Sequence, residues 1–214
     1  MNNNYNEYFI KEGKFVGDFE KMYKSCEDPW LQTELRNTES LRDLIVLNWI
    51  ERINNIQQNS VSVEIGCGFG FFSNKVMKTK QNCIGIDISE TAIRKAKELN
   101  PNCKFFVSDI MDFNLYAKHK VDVFFLADIT WCILDKLDEF LKKLNTYARL
   151  RGRNTYLINT LTTYDKGVQK YGNNFFTDLD SMLKYFNLNY LEYGSIVNNM
   201  ESAKSAGNYF LAKI

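Results

Sequence analysis

Residues 61–74, VSVEIGCGFGFFSN, place Gly66, Gly68 and Gly70 between a strand-like and a helix-like stretch. Val61 and Val63 alternate with polar residues as in a β-strand, and the mixed polar and apolar run that follows is typical of a helix. Glycine adopts backbone conformations that a Cβ disfavours, and it lets the backbone approach another group closely. This pattern predicts a ligand-binding turn at the carboxyl edge of an open α/β sheet.

Strand and helix patterns alternate along most of the chain. The predicted strands are VSVEI, NCIGID, CKFFVSD, VDVFFLA and TYLINT, and the predicted helices lie at about 19–25, 39–53, 71–79, 89–99 and 137–148. Apolar strands separated by helices predict a parallel sheet covered on both faces. The tail predicts a helix with Thr177 and Asp180 as a capping box. Two strand-like runs, NYLEYGSI and GNYFLAKI, then predict an antiparallel pair at the sheet edge.

The glycine spacing separates this turn from two common nucleotide-binding motifs. A GxGxxG fingerprint needs glycine where the chain has Phe71, and the GK[ST] of a P-loop is absent from the sequence. Glu64 stands two residues before Gly66, so a cationic ligand suits the turn better than a pyrophosphate. Asp87 ends the next strand, about 20 residues on, where a carboxylate can accept bonds from both ribose hydroxyls. Asp109 ends the third strand, so three acids close three successive strands.

The combination VEIGCGFG…GIDIS…VSDI resembles the class I S-adenosylmethionine-dependent methyltransferases over roughly residues 40–214. The resemblance implies a Rossmann-like α/β fold, a seven-stranded, mostly parallel sheet with its last strand antiparallel, and S-adenosyl-L-methionine as the cofactor. It also implies a set of cofactor-binding roles: Gly66, Gly68 and Gly70 at the methionine and ribose part, Asp87 on the ribose diol, Ile88 on adenine, Asp109 and Ile110 at the adenine edge, and Glu64 supporting the loop and facing the methionine amino group.

The lead-in EYFIKEGKFVGDFEKMYKSCEDPW is similar to the start of bacterial small-molecule methyltransferases such as the nodulation N-methyltransferases. Relatives of these enzymes modify capsular polysaccharide, including phosphoramidate decoration. The resemblance implies an N-terminal helical lid, residues 1–37, that folds over the cofactor, followed by a methyltransferase domain, residues 38–214. The aromatic residues of the lead-in lie outside the alternating core pattern: Tyr5, Tyr8, Phe9, Phe15, Phe19 and Trp30. Permanent packing of these rings on the sheet is the alternative.

Asp128 follows the fourth predicted strand in FFLADITWCILD and is expected beside the transferable methyl group. It is the first candidate for a catalytic base or for an anchor of a substrate amine, and it counts among the cofactor-binding candidates. An ordinary N-cap of the following turn is an equal alternative. Trp131 and Tyr8 are candidate walls of the substrate pocket.

A polar run follows the fifth predicted strand, NTLTTYDKGVQKYGNN, and contains Tyr164, Asp165 and Tyr171. It predicts either a substrate lid, with Tyr164 at the pocket, or an ordinary surface loop. The lone histidine, His119, precedes the fourth strand and is expected at the opposite edge of the sheet, away from the cofactor.

Composition bears on the partner and the compartment. A net charge of +1 gives no strongly basic surface for nucleic acid, and five cysteines without a CxxC pair indicate reduced thiols in a cytoplasmic protein. One histidine argues against a zinc site, so no metal is expected, and no apolar run reaches the ~18 residues of a membrane span. The sequence predicts methyl transfer to nitrogen or oxygen of a small metabolite or a sugar or capsule precursor. A non-catalytic cofactor-binding module and a nucleic-acid methyltransferase are the alternatives, and the oligomeric state is left open.

Overall fold

The computed structural model describes residues 6–35, 40–165, 168–169, 171–199 and 205–214. The strands are, in chain order, β1 Ile10–Lys11, β2 Lys14–Phe15, β3 Val61–Ile65, β4 Asn82–Asp87, β5 Lys104–Val107, β6 Val123–Ala127, β7 Tyr156–Tyr164, β8 Asn189–Asn198 and β9 Ser205–Lys213. β1 and β2 form a small antiparallel ribbon, and β3 to β9 form one sheet in the order β5-β4-β3-β6-β7-β9-β8. β9 is antiparallel to both of its neighbours, whereas the other pairs are parallel. The predicted sheet, including its antiparallel last strand, is confirmed.

Helices cover both faces of this sheet. They are α1 Asn6–Phe9, α2 Phe19–Ser25, α3 Gln32–Leu35, α4 Leu41–Ile56, α5 Phe71–Lys78, α6 Glu90–Leu99, α7 Phe113–His119, α8 Leu137–Arg151 and α9 Leu179–Phe186, with a 3₁₀ turn at Thr130–Cys132. Successive residues of β6 point to opposite faces. Val123 and Phe125 therefore pack with α4 and α5, whereas Phe124 and Leu126 pack with α7, α8 and α9. No described helix has both the length and the apolar character needed to cross a bilayer.

The helix ends follow local sequence signals in most places. Ser89 caps α6 as expected, because its side chain accepts the backbone N–H of Ala92. The capping box of α9 uses Asp178 and Ser181, so its assignment to Thr177 and Asp180 was wrong by one residue. The strand β7 extends to Tyr164 because it pairs with β9 along its whole length. That extension shortens the polar loop expected after the fifth predicted strand.

The N-terminal segment, described here over residues 6–35, packs against α6 and the glycine turn. Met22 and Tyr23 of α2 lie in a buried apolar cluster with Phe69, Phe71 and Ala92. The predicted boundary between lid and domain, at 37/38, falls outside the described residues, as does Tyr5.

Candidate cofactor and acceptor site

The glycine turn joins β3 to α5 with three left-handed residues. Gly66, Gly68 and Gly70 have φ values of 70°, 53° and 73°, which residues with a Cβ rarely adopt. An added Cβ would also collide with protein side chains: Ile129 at Gly66, Gln32 at Gly68 and the Phe105 ring at Gly70. The close approach expected of a ligand at Gly68 is therefore made here by a side chain from the N-terminal segment.

Glu64 lies beneath this turn and ties it to α5. The N-cap of α5 is Gly70, which has no side chain to accept the helix's first N–H groups. The Glu64 carboxylate takes that place, because its Oε2 accepts the Ser73 N–H at 2.8 Å and the Ser73 hydroxyl at 2.6 Å. Burial raises the pKa of Glu64 to about 7.

Asp87 ends β4 and holds the glycine turn from the other side. Its Oδ2 accepts the Gly68 N–H at 2.9 Å, and its Oδ1 accepts the Ser89 N–H at 2.9 Å. Burial raises the pKa of Asp87 to about 6, even though these bonds favour the charged form. Beside it, Ile88 is 54% exposed and Val107, the register partner of Asp87 on β5, is 49% exposed. A buried carboxylate and an open apolar surface thus lie side by side.

Asp109 and Ile110 follow β5 but turn in different directions. Burial alone would raise the pKa of Asp109, but Lys136, 2.7 Å away, and the Met111 N–H hold it below its ordinary value. The Ile110 side chain is buried in the core, and its carbonyl accepts the hydroxyl of Tyr116. Any contact of Ile110 with a ligand therefore falls to its backbone.

Asp128 lies just past β6 in a left-handed conformation, with φ of 55°. Its Oδ1 accepts the Thr162 N–H at 3.0 Å, and its Oδ2 pairs with Arg42 Nη1 at 2.6 Å. The following 3₁₀ turn has Ile129 at its N-cap and no side-chain cap bond. The N-cap alternative for Asp128 is therefore wrong. Its carboxylate instead links β7 to α4.

Arg42 was missed by sequence reasoning, because it occupies an ordinary polar position in a helical pattern. α4 places its N-terminal turn beside the end of β6, where Arg42 meets Asp128, and its C-terminal end beside Asn154 before β7. Arg42 also bonds Asp43 at 3.0 Å, and Asp43 pairs with Lys75 at 2.6 Å. Burial lowers the pKa of Arg42, but the two carboxylates more than offset this and raise it. The available signal was the helix predicted before β3. If it runs antiparallel to the strands, its N-terminal turn lies at the carboxyl edge of the sheet.

Two of the three predicted pocket residues lie near the end of β7. Trp131 donates its indole N–H to the Thr162 carbonyl at 2.9 Å and packs on Phe176. Tyr164 ends β7 and is 42% exposed. Tyr8 instead packs at the edge of the N-terminal apolar cluster. The N-terminal segment and the loop after β7 do meet, since the rings of Phe15 and Tyr171 stack with centroids 5.8 Å apart.

Glu20, another residue that sequence reasoning missed, fastens α2 to the start of α6. Its carboxylate accepts the hydroxyls of Ser89, at 2.6 Å, and Thr91, at 2.9 Å, and the Thr91 N–H at 3.1 Å. These bonds outweigh the effect of burial and lower the pKa of Glu20 to about 2. The N-terminal segment is therefore attached directly beside Asp87 and Ile88.

His119 lies at the end of α7, before β6, and its ring contacts Phe106 with centroids 4.8 Å apart. This is the amino edge of the sheet, opposite the glycine turn. All five cysteines are free thiols; four are buried and Cys132 is half-buried. Burial raises the pKa of the Cys132 thiol to about 12.

The methyltransferase domain family matches residues 63–152 of the chain. A malonyl-[acyl-carrier protein] O-methyltransferase from Ilyobacter polytropus is 31% identical over 146 residues, which are 60% of this chain and 52% of that protein. The chain spans about half the length, or less, of the curated relatives that it matches.

Solved structures share the fold at low sequence identity. The N-methyltransferase NodS from Bradyrhizobium japonicum, solved with S-adenosyl-L-homocysteine, has a TM-score of 0.55 and 14% identity, covering 87% of this chain and 92% of that one. Magnesium protoporphyrin IX methyltransferase from Synechocystis, solved with bound S-adenosylmethionine, has a TM-score of 0.56 and 16% identity, covering 97% and 94%.

Proposed function

We propose that this chain, which has the fold of a class I S-adenosylmethionine-dependent methyltransferase and carries a methyltransferase domain at residues 63–152, is a methyltransferase. It transfers a methyl group to nitrogen or oxygen of a small metabolite or a sugar or capsule precursor. One observation carries the proposal: the Asp87 carboxylate bonds the glycine turn and lies beside the exposed Ile88. Both N- and O-methyltransferases occur among the similar proteins, so they leave the acceptor atom open.

The described residues fit S-adenosyl-L-methionine. Asp87 presents a carboxylate suited to a ribose diol, Ile88 and Val107 present apolar surface suited to adenine, and the left-handed glycines keep the backbone of the turn free of Cβ atoms. Glu64 lies under the turn, and its ionised form would favour the cationic end of the cofactor. When bound, this cofactor supplies a methyl group that its sulfonium has already activated.

Asp87→Ala is expected to weaken cofactor binding by about 1–3 kcal/mol, the scale of a hydrogen bond to a charged group. An ionised carboxylate can accept from both hydroxyls of the diol, whereas protonation turns one of its oxygens into a donor. Because burial raises the pKa of Asp87 to about 6, wild-type affinity should fall as the pH drops below that value. Calorimetric titration with S-adenosyl-L-homocysteine measures both effects. Glu51→Ala, which removes an exposed acid from α4, is the control and should bind normally. Unchanged affinity of Asp87→Ala would contradict the ribose role, and tight NADH binding by the wild type would overturn the choice of cofactor.

The remaining work of the protein is to align the acceptor, exclude water and take up a proton. β6 is parallel to β3 and next to it in the sheet, so Asp128 and the glycine turn lie at the same carboxyl edge. We assign Asp128 the role of base or of anchor for a substrate ammonium, with its orientation set by Arg42 and Thr162. Trp131 and Tyr164, near the end of β7, are proposed to wall the pocket, whereas Tyr8 packs against the N-terminal apolar cluster instead.

The N-terminal segment is proposed to act as a lid over the cofactor, because Glu20 and Gln32 attach it on either side of Asp87. Cofactor is then expected to slow amide hydrogen exchange in residues 6–35, while exchange in α8 stays the same. Hydrogen-exchange mass spectrometry with and without S-adenosyl-L-homocysteine measures this. Identical exchange in both states would favour permanent packing of the segment.

The acceptor can be found by incubating the protein with methyl-labelled cofactor and a metabolite extract, then identifying labelled products by mass. A labelled small molecule would support the proposed function. Cofactor binding without any labelled product would favour a non-catalytic binding module. Labelled nucleic acid would replace the small-molecule proposal.

A further inference from the structure

Gln32, the first residue of α3, places its side-chain amide directly over the glycine turn. The Phe69 N–H donates to Gln32 Oε1 at 2.9 Å. A Cβ added to Gly68 would overlap this amide, and it would lie 2.8 Å from Nε2. The amide therefore occupies the space that the absence of a side chain at Gly68 leaves open.

This contact sets which way the amide faces. A backbone N–H can only donate, so the atom facing Phe69 is the amide oxygen, and the Nε2 group with its two hydrogens faces away from it. Among the described residues, no acceptor bonds Nε2, although the side chain is half-buried. A donor group in such a place gains from an acceptor that a ligand brings.

The backbone of α3 holds Gln32 in this position. Asp28 accepts the Gln32 N–H at 2.9 Å through Oδ1 and the Thr33 N–H at 2.7 Å through Oδ2. Its carboxylate thereby anchors the first turn of α3. The side-chain amide of Gln32 therefore extends from a backbone position that is fixed by hydrogen bonds.

The methionine end of the proposed cofactor carries one carboxylate. Glu64 and Asp87, the acids at the turn, would repel it. Arg42 and Lys75 are already engaged by carboxylates of the protein. The uncommitted donor at the turn, within the described part of the chain, is Gln32 Nε2.

We propose that Gln32 is a cofactor-binding residue whose Nε2 donates to the carboxylate of the methionine part of S-adenosyl-L-methionine. The inference rests on the proposed function. It makes the N-terminal segment part of the cofactor site, so the site is complete only when that segment is docked. Asp28 and Glu20 then contribute to cofactor affinity as positioning residues.

Gln32→Glu separates ligand binding from a structural role. Glutamate keeps an oxygen for the Phe69 N–H but replaces the donor group by a second oxygen that repels a carboxylate. Calorimetry compares two probes: S-adenosyl-L-homocysteine, and 5′-methylthioadenosine, which has the adenosine but lacks the carboxylate. The variant should bind the first at least about 10-fold more weakly, while its affinity for the second should change less than about 2-fold. Gln58→Glu adds the same charge at an exposed site after α4 and should leave both affinities unchanged.

Each other outcome overturns the proposal. Unchanged affinity of Gln32→Glu for S-adenosyl-L-homocysteine would mean that the amide only supports the turn. Equal losses for both probes would mean that the substitution disturbs the turn and not a carboxylate contact. Wild-type protein that binds neither probe would remove the proposed function together with this inference, which separates that failure from the first two.

Discussion

Asp128→Asn is expected to lower turnover on the acceptor by about 100-fold or more while cofactor affinity stays within about 2-fold. The substitution keeps the volume of the side chain but removes the carboxylate that would accept a proton or hold an ammonium. Steady-state kinetics on the identified acceptor gives kcat, and calorimetry gives the affinity for S-adenosyl-L-homocysteine. Near-normal turnover would mean that alignment alone carries the transfer.

Asp128→Asn also removes the ion pair between Asp128 and Arg42. Asparagine can still accept the Thr162 N–H, but its amide nitrogen would then face Arg42 in place of an oxygen. Arg42→Gln removes that ion pair and leaves the Asp128 carboxylate in place, so it should cost less turnover than Asp128→Asn. If Arg42→Gln and Asp128→Asn lower turnover equally, the loss comes from the broken ion pair and not from lost proton uptake or substrate anchoring. Asp135→Asn changes an exposed acid between β6 and α8 and should leave kcat unchanged.

Gly70→Ala is expected to lower the free energy of unfolding by about 2–5 kcal/mol. A left-handed residue with a Cβ costs about 1–2 kcal/mol, and forcing an extra methyl into a packed site costs about 1–3 kcal/mol. The Cβ would meet the buried Phe105 ring, which cannot retreat because the same ring also lies against Gly85. Urea unfolding followed by fluorescence or circular dichroism measures the loss.

Gly152→Ala is the matched control for this prediction. Gly152 ends α8 with φ of 67°, close to the 73° of Gly70, but an added Cβ there would meet no atom within 4 Å. Its cost should therefore be the conformational part alone, about 1–2 kcal/mol. Equal destabilisation by the two variants would show that the Phe105 contact contributes nothing.

The seven strands of the main sheet and six of the described helices, α2, α4, α5, α6, α8 and α9, could be predicted from local patterns, whereas α1, α3 and α7 were not predicted. The alternation of apolar strands and amphipathic helices specified the parallel core, and two strand-like runs near the end specified the antiparallel pair of β8 and β9. The three left-handed glycines and the Ser89 cap were also predictable, because each depends on the backbone of a few adjacent residues. The single-residue error at the α9 capping box arose because several Thr, Asp and Ser residues compete for one position.

By itself, the sequence determined the strands of the main sheet, most of its helices, and the presence of acidic groups at the ends of successive strands. Only the tertiary structure decided which partners those groups meet: Arg42 at Asp128, Lys136 at Asp109, and Gln32 over Gly68. Sequence periodicity reports which face of an element is polar, because that depends on the spacing of neighbouring residues. It does not report which distant side chain meets that face, since many exposed polar residues could serve equally well until packing brings one of them within hydrogen-bonding distance.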